Sequence, residues 1–84
     1  MAYSIPYHEL AVQFAGRGLT RLSDEQGWLL HGALRRDLGE AVLEGYAVGD
    51  RAYLVPLPDG RKLRLTRWRD GWAFGVEATA SLFG

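Results

Sequence analysis

Residues 51–78 read RAYLVPLPDGRKLRLTRWRDGWAFGVEA, and this stretch decides the fold. Apolar and polar residues alternate within it in three runs, which is the period of strands buried on one face. The runs are separated at residues 58–60 (Pro-Asp-Gly) and 70–71 (Asp-Gly), where proline presets φ and glycine supplies a positive φ. The stretch therefore predicts an antiparallel meander with one apolar face and one basic face.

The turn chemistry of the first hairpin predicts its register. A type I turn over residues 57–60, closed by a glycine bulge, sets Val55 opposite Leu63. Tyr53 then lies opposite Leu65 on the same apolar face. A plain two-residue turn would instead mix apolar and charged residues on each face, so we expect the bulged turn.

In the second hairpin, a two-residue type I′ turn at residues 70–71 keeps the two faces separate. A three-residue loop would set Arg64 against Val76, and we reject it for that reason. The expected pairs are Leu65 with Val76, Leu63 with Ala78 and Arg64 with Glu77. The core face then carries Tyr53, Val55, Leu57, Leu63, Leu65, Phe74, Val76 and Ala78. The outer face, which is the basic one, carries Leu54, Lys62, Arg64, Thr66, Trp68, Gly75 and Glu77.

Two helices are predicted before the meander. The first follows Pro6, a residue that favours helix starts, and its apolar positions 7, 10, 11 and 14 have helical spacing. Alternation at positions 10, 12 and 14 leaves a strand open there. The second helix begins at a capping box formed by Ser23 and Gln26, and a stripe of leucines at spacing four follows it. The predicted fold is therefore α+β, with two N-terminal helices packed on a three- or four-stranded antiparallel meander.

Residues 40–48 have two interpretations. The second helix either ends at Gly39 or continues to Gly45, since glycine is common just past helix ends. If it ends at Gly39, residues 41–48 form a fourth strand that turns at Gly49-Asp50. Burial then favours a register with Leu43 opposite Val55.

The composition indicates one small folded domain over residues 1–84, with 48% hydrophobic and 12% aromatic residues. A chain this short buries only about 60–65% of its unfolded surface, which leaves a thin stability margin. Because dimerisation would add buried surface, a second copy is also a candidate partner. The absence of cysteine excludes disulfides and thiolate sites and suits the cytoplasm. The chain has no apolar run near the ~18 residues of a membrane span and no signal peptide, so we expect no membrane association.

Catalytic and metal-binding patterns are not evident. His8-Glu9 begins like a zinc-helix motif, but Val12 stands where the second histidine would be needed. His31 has no acidic partner at ligand spacing, and the serines lack the context of a nucleophile elbow. We therefore expect a protein that is not an enzyme and that uses no cofactor or metal.

The candidate binding surface is the basic face of the sheet. Residues 1–50 hold four arginines against seven acids, while residues 51–84 hold six cations against three acids. Cations interleaved with a tryptophan can anchor a protein interface or hold phosphates and stack a base. The predicted binding residues are Arg61, Lys62, Arg64, Arg67, Trp68 and Arg69. Trp28 and Trp72 are assigned to the core or its edge. The alternative to a binding surface is a solvated outer face on which the Trp68 ring covers Gly75.

These features predict a small non-catalytic protein-binding module, such as an adaptor or an inhibitor of another macromolecule. A phage-encoded inhibitor of a host machine is one form it could take. The alternative is a weak nucleic-acid-binding domain that uses the basic face around Arg64 and Trp68. The zero net charge and the acidic helices favour the protein partner, because nucleic-acid affinity depends on phosphate neutralisation.

Overall fold

In the computed structural model, the described residues are 5–77. Within them lie three helices and five strands: α1 (Tyr7–Gly16), β1 (Arg21–Leu22), α2 (Asp24–Leu38), α3 (Glu40–Gly45), β2 (Ala47–Val48), β3 (Ala52–Pro56), β4 (Lys62–Trp68) and β5 (Gly71–Glu77). The strands form one antiparallel sheet in the order β1-β5-β4-β3-β2. The predicted α+β class with N-terminal helices is confirmed. The sheet has five strands, however, where the sequence predicted three or four.

Helices α1 and α2 form where their patterns predict. Helix α1 buries Leu10, Ala11 and Phe14, so the strand alternative for this segment is wrong. Helix α2 begins at the predicted capping box: the Gln26 N–H donates to Ser23 Oγ at 3.1 Å. The Ser23 N–H donates in return to Gln26 Oε1 at 3.0 Å. Two of the backbone donors exposed at the start of a helix are thereby satisfied.

Residues 40–48 contain both a helix and a strand. Helix α2 ends before Gly39, whose φ of 87° is readily adopted only by glycine, and α3 follows immediately. Leu43 lies in α3 and is 1% exposed, so the predicted pairing of Leu43 with Val55 in a strand is wrong. Of residues 40–48, only Ala47 and Val48 pair with β3. The helix thus buries the apolar residue that a strand was expected to bury.

The first hairpin has the predicted register. Val55 lies opposite Leu63, and Tyr53 lies opposite Leu65. The Gly60 N–H donates to the Leu57 carbonyl at 3.0 Å, and Gly60 has a φ of 92°. This is the expected type I turn closed by a glycine in the left-handed region.

The second hairpin is shifted by two residues from the prediction. Trp68 lies opposite Gly71, so the turn consists of residues 69–70, and Arg64 faces Gly75. A type I′ turn needs positive φ at both central positions, and no non-glycine residue among residues 5–77 has one. Gly71 lies instead beside β1, where a Cβ atom would be 2.9 Å from the Leu22 carbonyl oxygen. A shift of two residues conserves side-chain alternation, so the predicted faces survive.

The helices pack on the predicted core face of the sheet. Of the residues assigned to that face, Tyr53 and Val76 are partly buried and Ala78 lies outside the described residues. The core includes Leu10, Ala11, Phe14, Leu22, Leu30, Ala33, Leu34, Leu43, Val55, Leu57, Leu63, Leu65, Trp72 and Phe74. Trp72 is 2% exposed and contacts α2 at Gly27, where a Cβ would lie 1.9 Å from Trp72 Cδ1. Glycine at position 27 therefore makes room for the tryptophan.

Candidate interaction surface

The outer face of the sheet has small residues along its middle. Ala52, Thr66 and Ala73 lie side by side on neighbouring strands, with Arg21 next to Ala73 on β1. Because the three helices pack on the core face, none of them covers this face within residues 5–77. Trp68, at one end of the outer face, has 52% of its surface exposed. The small middle row leaves this ring accessible to a partner.

Three of the predicted binding residues lie at the opposite end of the outer face, which we call the paired end (Asp59, Arg61, Lys62, Arg64 and Glu77). Arg64 Nε donates to Glu77 Oε2 at 2.6 Å, and Arg61 Nε donates to Asp59 Oδ2 at 2.7 Å. Lys62 lies opposite Glu77. The hydrogen bond from Arg64 lowers the pKa of Glu77, and that from Arg61 lowers the pKa of Asp59. Both arginines at this end are therefore already matched by carboxylates.

The Arg64–Glu77 contact was expected from a direct cross-strand pair, yet it forms diagonally. Arg64 faces Gly75, and its side chain reaches Glu77 two residues further along β5. Trp68 does not cover Gly75, because the shifted register places Trp68 opposite Gly71. The alternative in which the Trp68 ring covers Gly75 is therefore wrong.

The other predicted residues surround a concave surface at the Trp68 end of the sheet. Three adjoining hollows share their walls there, and Arg51 lines all of them. The turn at 49–51 and the turn at 69–70 meet at this end, since alternate connections of an antiparallel sheet lie at the same end. The Arg67 N–H donates to the Arg51 carbonyl at 2.8 Å and fixes the two segments together. We call this surface the arginine groove; it is lined by Arg21, Trp28, Asp50, Arg51, Arg67, Trp68, Arg69 and Asp70.

Arg67 lies on the helix side of the groove, so this predicted binding residue does not belong to the outer face of the sheet. Strand alternation places it on the same face as Leu65, and it lies opposite Trp72. Its Cζ atom lies 4.6 Å from the centre of the Trp28 ring and 5.6 Å from that of Trp72. Such stacking is favourable because a guanidinium is attracted to the negative face of an indole.

Aromatic side chains support this stacked arginine. The rings of Trp28 and Trp72 meet edge to face with their centres 5.2 Å apart. His31 lies 5.5 Å from Trp28 and 5.6 Å from Tyr53, measured between ring centres. Burial lowers the pKa of His31, and the positive charges of Arg35 and Arg67 lower it further. Trp28 remains 44% exposed, which places it at the edge of the core.

The structure thus divides the six predicted binding residues into two groups and adds others. Arg61, Lys62 and Arg64 lie at the paired end, whereas Arg67, Trp68 and Arg69 line the groove. Sequence reasoning missed Arg51, Arg21 and Trp28. Arg51 follows the predicted Gly49-Asp50 turn, but only the arrangement of that turn beside the 69–70 turn brings it to the groove.

Within residues 5–77, no cluster of three or more histidine or acidic side chains is arranged to hold a metal ion. None of the helices in this part of the chain has the length and apolar character needed to cross a membrane. Compared with protein-family models, with curated proteins and with solved structures, the chain matches none of them.

Proposed function

We propose that this chain is a small non-catalytic protein-binding module whose binding surface is centred on Trp68. The observation that supports the proposal is the 52% exposure of a tryptophan on a sheet face that no described helix covers. Tryptophan and arginine are enriched at the energetic centres of protein interfaces, because they combine contact area with directed donors. Trp68 has Arg51 and Arg69 beside it.

The glycine at position 75 is a second reason to place the binding surface on the outer face. A glycine inside a strand weakens the strand and often marks a place where another backbone approaches closely. A Cβ at Gly75 would meet no described atom within 4 Å, so packing within residues 5–77 does not require a glycine there. Together with Ala73 and Thr66, it gives the outer face a flat centre on which a partner chain can lie.

The form of the function that we favour is an adaptor or an inhibitor of another macromolecule, acting in the cytoplasm. A domain of this size can block a partner simply by covering its surface, since a standard interface needs about 800 Å² from each side. A phage-encoded inhibitor of a host machine fits this description. A second copy of the chain is a further candidate occupant of the outer face.

Weak nucleic-acid binding is the second candidate function. The groove favours it, because Trp28 and Trp68 could stack bases while Arg51 and Arg69 contact phosphates. The pairing of Arg61 with Asp59 and of Arg64 with Glu77 counts against it, since it reduces the number of cations available to phosphates.

The test compares three tagged proteins in nuclease-treated lysate of the source cells: wild type, Trp68→Ala and Val12→Ala. Val12 is the matched control, because it is 49% exposed on α1 and lies outside the outer face. We expect at least one protein to be retained by wild type and Val12→Ala and to be lost with Trp68→Ala. Loss of about 2 kcal/mol of binding energy is common when an aromatic anchor is removed. Retention of the same protein by folded Trp68→Ala would contradict the proposal. A partner that is retained from untreated lysate and lost after nuclease treatment would also contradict it.

A further inference from the structure

We propose that the arginine groove binds an extended acidic segment of the partner protein, with carboxylates on the arginines and apolar side chains on the tryptophans. This inference rests on the proposed function and specifies the chemistry of the partner. It adds the groove residues Arg51, Arg67 and Arg69 to the flat outer face, and Trp68 belongs to both surfaces. The two surfaces can therefore be tested separately.

The charge of the groove favours a partner that carries carboxylates. Among residues 5–77, Arg51, Arg67 and Arg69 form no ion pair within 4.0 Å, in contrast to the arginines of the paired end. Arg51 and Arg69 are exposed and border the same hollow. Unpaired guanidinium groups that face one concave surface attract carboxylates and bind them through two parallel N–H donors.

The position of Arg67 against the tryptophans favours the same kind of partner. Its Cζ atom lies over the Trp28 ring, 4.6 Å from the ring centre, so the cation packs against the indole. The N–H groups of a guanidinium lie in its plane and stay available to a carboxylate when its face is stacked. Trp28 thus holds Arg67 in place as a directed donor at the helix side of the groove.

Two exposed tryptophans flank the arginines of the groove. Trp28 lies on the helix side of the groove and Trp68 on the outer-face side, with Arg51 and Arg67 between them. A partner segment that crosses the end of the sheet would meet an aromatic ring, a group of cations and a second aromatic ring in turn. The matching segment has apolar side chains on either side of acidic ones.

The groove is held in shape before a partner binds. The Arg67 N–H to Arg51 carbonyl bond of 2.8 Å joins β4 to the turn at 49–51. Trp72, which is 2% exposed, supports both Trp28 and Arg67 from below. A preformed surface loses less conformational entropy on binding, and more of its contact energy appears as affinity.

Charge distribution favours an acidic protein segment over a nucleic acid. Asp50 and Asp70 lie within the groove, and Asp70 is 3.7 Å from Arg21. These carboxylates repel a continuous line of phosphates, whereas a peptide can place neutral or donor groups beside them. Three unpaired arginines match two or three carboxylates, but they supply few of the cations that phosphate binding needs.

The experiment selects ligands without assuming their chemistry. The full chain is immobilised and offered a displayed library of random peptides of about twelve residues and, in parallel, a randomised single-stranded DNA pool. We expect the selected peptides to be acidic and to contain apolar or aromatic residues. Arg51→Glu combined with Arg69→Glu should weaken their binding by about tenfold or more.

The matched control is Arg61→Glu combined with Lys62→Glu, which makes the same charge change at the paired end and should alter affinity by less than about threefold. If the Arg51/Arg69 charge reversal fails to fold, Arg51→Gln with Arg69→Gln serves in its place, with the same ordering expected. Neutral or basic selected peptides, no selected peptide, or tighter binding of the DNA pool would overturn the inference. Peptides that need Trp68 but not Arg51 or Arg69 would overturn it and leave the proposed function standing. Peptides that need none of these residues would overturn both.

Discussion

The two ends of the sheet both carry arginines, but they differ in whether carboxylates of the chain contact them. At the paired end, Arg64 and Arg61 each contact a carboxylate at 2.6 Å, and the charge is matched within the chain. In the arginine groove, Arg51 and Arg69 are exposed and have no such partner among the described residues. Exposed ion pairs contribute little to stability, so the paired end is best described as a solvated surface. The location of the acids, more than the number of cations, therefore identifies the candidate binding end.

The largest expected effect is on protein stability, and it comes from the packing of Trp72 against α2 beneath the groove. Gly27→Ala should destabilise the protein by about 1–3 kcal/mol or more, because overpacking forces side chains and backbone to shift. The added Cβ would lie 1.9 Å from Trp72 Cδ1, and Trp72 holds Trp28 and Arg67. Urea unfolding followed by tryptophan fluorescence measures the change.

The control for that variant is Gly32→Ala on the same helix. A Cβ there meets no described atom within 4 Å, so alanine should stabilise α2 by about 0.5–1 kcal/mol through its higher helix propensity. Equal unfolding midpoints for the two variants would show that Trp72 does not require the glycine and would remove the proposed support of the groove.

A smaller effect is expected from the titration of His31 beside the groove. Burial, Arg35 and Arg67 lower its pKa, and Glu44 acts in the opposite direction. The unfolded chain therefore takes up the proton first, so stability is full above a pH of about 6.5 and falls as the pH drops through the lowered pKa of the folded state. His31→Asn should reduce the slope of stability against pH in this window.

The matched control is His8→Asn, which removes the chain's other imidazole from an exposed position on α1. Thermal unfolding at closely spaced pH values measures both variants. A slope for His31→Asn that equals the wild-type slope would indicate that His31 does not lie among charged and aromatic neighbours as described.

The smallest effect is expected at the paired end. The pKa of Glu77 is lowered first by the hydrogen bond from Arg64 and, to a smaller extent, by the charge of Lys62. Any stability from this interaction is present above a pH of about 4.3 and is lost as the pH falls through the pKa of the folded state. Carbon-detected NMR titration should show a larger rise of the Glu77 pKa in Arg64→Gln than in Lys62→Gln. The reverse order would mean that Arg64 does not form the diagonal contact.

Local turn chemistry explains which hairpin could be predicted from the sequence. Pro58 and Gly60 each have a defined role in the first turn, and only the bulged register separates apolar from charged residues. In the second hairpin, Asp70-Gly71 suggested a type I′ turn, but Gly71 is required by its close approach to Leu22 on β1. That contact depends on a two-residue strand, which is too short to give an alternating pattern.

The candidate site, like the second hairpin, could be predicted only in part, because some of its contacts join segments that are distant in sequence. The cationic run at 61–69 is evident in the sequence, and the outward position of Trp68 follows from strand alternation. Which of those cations meet acids depends on the diagonal contact to Glu77 and on the side chain of Asp59 in the turn. Arg51 joins the site only through the tertiary arrangement of two turns. Sequence reasoning therefore found the basic surface and missed which end of it is unpaired.

An NMR map of peptide binding on the ¹⁵N-labelled chain distinguishes the arginine groove from the paired end. A peptide selected from the random library is added, and shifts are followed for the indole N–H groups of Trp28 and Trp68 and for backbone amides. We expect the largest shifts at both indoles and at Arg51 and Arg69. Shifts centred on Arg61 to Arg64, with both indoles unmoved, would contradict this expectation.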